Sequence, residues 1–192
     1  MHKMLITGFD PFGGQTVNPS WLAVSQLPDQ VGDFAISKMM IPTVFGVAAD
    51  AVLAEAEELR PNVILCVGQA GGREAVTPER IGVNIRDARI ADNAGNQPKG
   101  EFVASDGPAA YFATVPVEKM AQAIRDAGIP ATVSNSAGAF VCNDVLYSLL
   151  HHYAGTEIRV GFIHVPYVPE QGSPNLPLKT IIEALGAAIA AC

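Results

Sequence analysis

Short apolar runs alternate along the chain with longer stretches in which apolar residues recur at helical spacing. Aliphatic and β-branched runs predict strands at residues 4–7, 35–40, 63–67 and 158–165. Helical spacing predicts helices at residues 44–60 and 139–153, at an alanine-rich C-terminal segment, and from the Asn18-Pro19 start signal through Leu27. This alternation predicts an α/β fold.

The middle third of the chain is less regular. Residues 80–90 alternate in places, which predicts a hairpin or an extended arm, and DNAGNQPKG at 92–100 predicts a surface loop. Short strands are predicted at 111–115 and 131–134, with a helix from Pro116 to Gly128 between them. Because no linker or repeat interrupts the pattern, we expect one domain over residues 1–192.

Composition narrows the class of protein. The 192 residues are 49% hydrophobic and carry a net charge of −7 without a basic cluster, so a nucleic-acid partner is not expected. No apolar run approaches the ~20 residues that a membrane-spanning helix needs. The three cysteines are too few and too scattered for a disulfide framework, which favours a reducing cytoplasmic location.

Cys142 is the first candidate for chemistry. It follows the small residues of SNSAGAFVCNDVLY at a predicted helix start. A helix N-terminus stabilises a thiolate, and the small residues leave room for a tight turn that presents a nucleophile. The alternative is a structural cysteine buried on an amphipathic helix, because free cysteine is among the most buried residue types.

His164 is the candidate base. It lies at the carboxyl end of the apolar strand RVGFIHVPY, the edge at which open α/β sheets bind ligands, although it is also consistent with a hydrogen-bonded core histidine. A Cys–His pair works better when a third group orients the imidazole. Spacing leaves four carboxylates open for that role: Glu74, Glu79, Asp87 and Asp92.

Two glycine-rich loops follow predicted strands, GFDPFGG at 8–14 and GQAGGRE at 68–74. Neither has the spacing of a dinucleotide or P-loop motif, so no nucleotide cofactor is expected. The absence of HExxH and CxxC motifs likewise predicts no metal site. Phe9 and Phe12 in the first loop either cover the core or form a flat apolar pocket for a small ring.

Taken together, the motifs resemble those of the pyroglutamyl peptidase I family of cysteine peptidases over essentially the whole chain. The resemblance implies a three-layer α/β/α sandwich with a mixed, mostly parallel sheet, a catalytic set of Cys142, His164 and Glu79, no cofactor, and cytoplasmic homodimers or homotetramers. The matching stretches are LITGFDPFGG, VNPSW, GQAGGREAVTPERIGVNIRDARIADNAGNQP, SNSAGAFVCNDVLY and GFIHVPYVPEQ.

The implied reaction is removal of an N-terminal pyroglutamyl residue from a peptide through an acyl-enzyme. We expect Phe9 and Phe12 to sandwich the lactam, Gln69 to supply polar contacts, and Arg89 to help hold the oxyanion. Asp144 departs from the family pattern, and an acid so near Cys142 is expected to oppose thiolate formation slightly. The alternatives are another Cys–His amidohydrolase, a small-molecule binding module with a spent site, and, more weakly, a nucleoside-binding protein.

Overall fold

A computed structural model describes residues 1–192 and shows one central six-stranded sheet. The sheet order is β2-β3-β1-β4-β8-β5, in which β3, β1, β4 and β8 are parallel and the short edge strands β2 and β5 are antiparallel to their neighbours. The strands are β1 His2–Phe9, β2 Gln30–Val31, β3 Phe34–Ile41, β4 Val63–Gln69, β5 Thr77–Pro78, β6 Ile81–Val83, β7 Ala110–Phe112 and β8 Arg159–Val165.

Five α-helices cover the two faces of this sheet. Helices α1, α3 and α5 pack on one face, and α2 and α4 pack on the other. Their bounds are α1 Pro19–Ser25, α2 Val47–Leu59, α3 Val117–Asp126, α4 Val141–His152 and α5 Leu178–Ala190, with a short 3-10 helix at Pro169–Gln171. The prediction of an α/β/α sandwich with a mixed, mostly parallel sheet is confirmed.

Strand β4 shows why the central strands are apolar throughout. Val63, Leu65 and Val67 belong to the core beneath α1, α3 and α5, whereas Ile64 and Cys66 belong to the core beneath α2 and α4. A strand that is covered on both faces needs apolar residues at every position. The same alternation directs the next position on the second face, residue 68, toward α4.

Helix starts follow local signals. The Asn18 side chain accepts a hydrogen bond from the Ser20 backbone N–H at 3.0 Å, and Pro19 occupies the first helical position of α1. Helix α2 begins at Val47, later than the pattern predicts, because Gly46 at φ 73° interrupts the helical conformation. None of the helices combines the length and the apolar composition that crossing a bilayer requires.

Two predictions for the middle of the chain need correction. Residues 131–134 form no strand and make only isolated bridges, Val76 to Ala131 and Glu79 to Ser134, since the neighbouring β5 is only two residues long. Of the two alternatives for residues 80–90, a hairpin or an extended arm, the hairpin is wrong, because β6 pairs with the distant β7. The predicted loop at 92–100 contains no helix or strand and is confirmed.

The Asn143 side chain fixes β6 against α4. Its Oδ1 accepts from the Val83 N–H at 2.9 Å, and its Nδ2 donates to the carbonyl oxygens of Val83 at 2.9 Å and Ile85 at 3.0 Å. The buried amide group of Asn143 thus supplies the hydrogen bonds that a second neighbouring strand would otherwise make to these backbone groups. Residues 81–85 are thereby held beside the helix that carries Cys142.

Candidate active site

Cys142 is the second residue of α4, at the end of a tight turn. The first backbone N–H groups of a helix have no intrahelical acceptor, and the Phe140 side chain does not cap those of α4. The preceding turn includes Gly138 at φ 81°, whose N–H donates to the Ser136 hydroxyl at 3.2 Å. The turn therefore presents Cys142 together with unpaired backbone donors.

Gly68 connects the cysteine to the sheet. Within the parallel pairing of β4 and β8, Gly68 lies opposite His164. A β-carbon built on Gly68 would lie 2.9 Å from the Cys142 sulfur and 2.8 Å from the Phe162 ring. The thiol of Cys142 thus packs directly on the backbone of β4, one strand away from the imidazole of His164.

The imidazole of His164 is held by Glu79. The His164 Nδ1 lies 2.7 Å from Glu79 Oε1, and the two residues are 4% and 0% exposed. The backbone N–H of Glu79 donates to the Phe162 carbonyl at 2.9 Å, which fixes Glu79 beside β8. Since Nδ1 faces the carboxylate, Nε2 is the ring nitrogen left for the cavity.

The other three carboxylates lie away from this pair. Asp92 is buried, and its carboxylate accepts hydrogen bonds from the backbone N–H groups of Phe45, Ala94 and Asn96, so it fixes the turn at 92–96. Asp87 is half-exposed and lies 3.8 Å from the Lys99 ammonium group. Glu74 is exposed. Of the four candidates left open by spacing, the structure brings only Glu79 to the imidazole.

The Cys142 side chain is only partly buried, but loss of hydration still governs the protonation of its thiol. Desolvation, reinforced by the nearby Glu79 carboxylate, raises the pKa of Cys142 to about 12. This result corrects the expectation that the helix N-terminus lowers the pKa of the thiol, because the loss of hydration outweighs the helix dipole here. The resting side chain is therefore a thiol rather than a preformed thiolate.

His164 and Glu79 show the complementary pattern. Burial lowers the pKa of His164, and the hydrogen bond to Glu79 opposes this shift only in part. Burial alone would raise the pKa of Glu79, but the hydrogen bond and the attraction to His164 hold it below its ordinary value. At neutral pH the site therefore holds a neutral imidazole on a charged carboxylate.

A cavity of about 600 Å³ opens above these groups, and Cys142 and His164 are among its lining residues. Phe12 and Phe140 form an aromatic wall, with ring centroids 5.9 Å apart and planes tilted by 35°. The Phe45 ring supports Phe140 edge-on at 5.3 Å. The cavity thus combines a thiol with a flat apolar wall.

Three of the four predicted substrate-binding residues line this cavity: Phe12, Gln69 and Arg89. The side-chain oxygen of Gln69 accepts from Gln171 Nε2 at 2.9 Å, so the amide group is oriented before a ligand binds. Phe9 differs from the expectation. It ends β1 with a 2% exposed ring that packs in the core against Phe162, and it does not line the cavity.

Asp144 also differs from its expected role. It is fully buried, and its Oδ1 and Oδ2 accept from Arg86 Nε at 2.6 Å and from the Gly46 N–H at 2.8 Å. The carboxylate is thus paired with a guanidinium on another segment, and it is not among the groups that raise the pKa of Cys142. The expected opposition to thiolate formation is therefore not found.

The fold and this cavity define an α/β protein with the side chains of a cysteine hydrolase. A family model described as pyroglutamyl peptidase matches residues 2–192. The chain is 50% identical to a pyrrolidone-carboxylate peptidase of Staphylococcus saprophyticus, over 98% of this chain and 92% of that protein. The chain therefore belongs to the pyroglutamyl peptidase family.

Solved structures agree with this assignment. The crystal structure of pyroglutamyl peptidase I from Bacillus amyloliquefaciens matches with a TM-score of 0.96 at 45% identity, covering 100% of this chain and 96% of that one. The pyrrolidone carboxyl peptidase from Thermococcus litoralis matches with a TM-score of 0.95 at 38% identity, covering 100% and 93%. The resemblance inferred from the motifs is confirmed, and the chain is an enzyme of the pyroglutamyl-peptidase I type.

Several residues that shape the site were not identified from the sequence. In the sequence Gly68 is one of several glycines in a loop, and only the structure shows that its missing side chain makes room for the Cys142 sulfur. Arg73, in the same loop, contacts Glu79. Phe140, the residue just before α4, supplies the second aromatic ring. An aromatic residue next to a nucleophile turn is the signal that points to such a wall.

Proposed function

We propose that this chain removes N-terminal pyroglutamyl residues from peptides, with Cys142 as nucleophile, His164 as general base and acid, and Glu79 as the group that orients the imidazole. One set of contacts carries the proposal. The Cys142 sulfur packs against the backbone of Gly68, Gly68 lies opposite His164 in the sheet, and His164 Nδ1 lies 2.7 Å from Glu79 Oε1. This order of groups is the nucleophile, base and orienting acid that acyl transfer requires.

The protonation states favour general-base catalysis. With the pKa of Cys142 raised to about 12 and that of His164 lowered, the resting pair is a neutral thiol and a neutral imidazole. His164 Nε2 takes the sulfur proton as sulfur bonds to the pyroglutamyl carbonyl carbon, and Glu79 stabilises the imidazolium that forms. His164 then returns the proton to the leaving amine, and water hydrolyses the thioester with His164 again as base.

The carbonyl oxygen becomes an anion during this attack. The unpaired backbone N–H groups at the start of α4 lie beside the sulfur, and Arg89 reaches the same cavity from the 87–90 segment. Each oriented donor is worth about 3 kcal/mol of barrier in comparable sites. We therefore assign oxyanion stabilisation to the Cys142 N–H together with Arg89.

The cavity favours a neutral lactam. The flat ring fits the wall of Phe12 and Phe140, and Gln69 offers a fixed amide to its polar edge. The charged side chains that line the cavity are those of Arg73, Arg89 and Asp87, so an ordinary N-terminus brings a cation into a cavity with more positive than negative charge. Desolvation and like-charge repulsion both penalise that cation. A terminal proline has the ring shape but is also charged and lacks the ring carbonyl.

The test compares wild type with Cys142→Ser on a pyroglutamyl amide that carries a chromogenic leaving group, under reducing conditions, with the prolyl amide as specificity control. Turnover of the pyroglutamyl amide alone, lost in the variant, is the expected result. Turnover of other amides but not this one would point to a different Cys–His amidohydrolase. Ligand binding without turnover would point to a binding module with a spent site.

Three further predictions from the sequence belong to this proposal. The first is a homodimer or homotetramer, the second is a cytoplasmic location without nucleic-acid or membrane partners, and the third is a single catalytic domain over residues 1–192. Light scattering of the purified chain checks the first, and cell fractionation checks the second. Limited proteolysis checks the third, since one domain predicts a single resistant fragment.

A further inference from the structure

Arg73 contacts the same carboxylate oxygen that orients the imidazole. Its Nη1 lies 2.6 Å from Glu79 Oε1, and His164 Nδ1 lies 2.7 Å from that oxygen. The other oxygen, Oε2, is buried and accepts no hydrogen bond. One oxygen thus serves two donors, so the guanidinium and the imidazole share the negative charge of Glu79.

The same guanidinium reaches the turn that carries the nucleophile. Arg73 Nη2 donates to the Ser136 carbonyl oxygen at 3.0 Å, and Nη1 also contacts the Thr77 hydroxyl. Ser136 lies in the turn before α4, and Thr77 lies opposite His164 in the pairing of β5 with β8. Arg73 therefore joins the segment of the acid to the segment of the cysteine, through the planar donor fork that lysine lacks.

The charge of Arg73 opposes that of Glu79 at both reacting groups. Glu79 raises the pKa of His164 and of Cys142, whereas Arg73 lowers both. Without this counter-charge, the carboxylate would raise the pKa of both His164 and Cys142 further. The arginine side chain is 29% exposed, so water screens part of this effect.

We propose that Arg73 is a positioning residue that shares the Glu79 carboxylate with His164 and fixes the Ser136 turn relative to Glu79. The inference deepens the proposed function and rests on it. Arg73 acts through Glu79 and the turn, so it is distinct from the groups that exchange protons with substrate.

The test uses Arg73→Gln and Arg73→Lys, with kcat/KM and the rate of Cys142 alkylation by iodoacetamide each measured against pH. In Arg73→Gln we expect the acid limb of kcat/KM to move to higher pH by up to about one unit. At a fixed pH below the limb, kcat/KM should therefore be up to about tenfold lower than in wild type. Alkylation at a fixed pH should also slow. Arg73→Lys restores the charge, so its acid limb should return toward that of wild type while kcat stays reduced.

Arg80 supplies a matched control. Its guanidinium donates to Asn135 Oδ1 at 2.8 Å and pairs with Glu118, so it holds the same turn without touching the Glu79 side chain. Arg80→Gln should leave both pH profiles unchanged. An unshifted acid limb in Arg73→Gln, or an equal shift in Arg80→Gln, overturns the proposal. If Arg73→Gln does not fold, wild-type kcat in Arg73→Lys overturns it instead.

Alkylation of Cys142 needs no substrate, so it tests the role of Arg73 independently of peptide cleavage. A wild-type enzyme that fails to cleave the pyroglutamyl amide contradicts the proposed function, whereas the alkylation profiles still report on Arg73. Cys142→Ser gives the background, because Cys192 is a second, only partly buried thiol. The predicted difference between the Arg73 and Arg80 variants remains measurable in either case.

Discussion

The sulfur of Cys142 packs against the backbone of Gly68, so that a β-carbon at position 68 would come within 2.9 Å of it. Gly68 lies opposite His164 in the sheet. The contact between the Cys142 sulfur and Gly68 therefore sets the position of the thiol relative to the imidazole. A single methyl group at this point would displace the thiol relative to the imidazole. The contact makes a sharp test of the site geometry.

Gly68→Ala is expected to lower kcat by about 10²-fold, the typical effect of a displacement near 1 Å at a reacting group. The methyl group also meets the Phe162 ring at 2.8 Å, and such overpacking costs about 1–3 kcal/mol of stability. Turnover and thermal unfolding measure the two effects. Gly186→Ala in α5 is the control, since nothing lies within 4 Å of its added β-carbon. Wild-type kcat in Gly68→Ala would show that the thiol is placed by other contacts.

Phe12 and Phe9 are expected to separate binding from stability. Phe12 lines the cavity, so Phe12→Ala should raise KM strongly and leave the alkylation rate of Cys142 near the wild-type value. Phe9 is 2% exposed in the core, so Phe9→Ala should lower the free energy of unfolding by about 3–5 kcal/mol. Steady-state kinetics and denaturant unfolding provide the comparison. If Phe12→Ala reduces alkylation and substrate turnover equally, the aromatic wall does not act on the lactam.

Asp144 is expected to act on stability. Asp144→Ala leaves the Gly46 N–H and the Arg86 guanidinium without their buried acceptor. The loss of one partner of a buried ion pair lowers the free energy of unfolding by about 3–5 kcal/mol, and solvent screening at the partly exposed Arg86 reduces this cost. Asp144→Asn keeps an acceptor and should cost less. The pH dependence of Cys142 alkylation should change in neither folded variant. A marked acceleration of alkylation in Asp144→Asn would restore the view that this acid opposes thiolate formation.

Glu79→Gln should shift the pH profile opposite to Arg73→Gln. Glu79 raises the pKa of His164 and of Cys142, so loss of its charge lowers both. The acid limb of kcat/KM should then move to lower pH, and alkylation at fixed pH should accelerate. The value of kcat should still fall by about 10²-fold or more, because the imidazolium loses its partner. An acid limb that moves to higher pH would contradict the assigned role of Glu79.

Acid should destabilise the fold through His164. The pKa of His164 is lowered in the folded state. When pH falls below about 6.5, the ordinary pKa of histidine, the imidazole is therefore protonated in the unfolded chain but still neutral in the folded one. This contribution to stability is therefore present above about pH 6.5 and is lost as pH falls toward the folded pKa. Thermal unfolding between about pH 7 and about pH 5.5 should show a shallower decline in His164→Asn than in wild type. Equal slopes would show that the buried imidazole contributes little.

The sequence by itself determined the order of the main strands and helices and the family. The alternation of apolar strands and amphipathic helices is a local property, so β1, β4, β8 and the helices between them were predicted within a few residues. The long motifs around Cys142 and His164 carried the family resemblance. The predicted strand at 131–134 failed because strand formation depends on a partner, and that partner is a distant edge segment.

Only the tertiary structure decided how the site is assembled. Spacing left four carboxylates open, and the contact between Glu79 and His164 joins residues 85 positions apart. The packing of Cys142 on Gly68, the shared charge of Arg73 and the core position of Phe9 are likewise long-range contacts. The raised pKa of Cys142 follows from burial, which a helix-start motif does not encode. Local patterns report what a segment prefers, whereas protonation and reactivity depend on which distant groups exclude water around it.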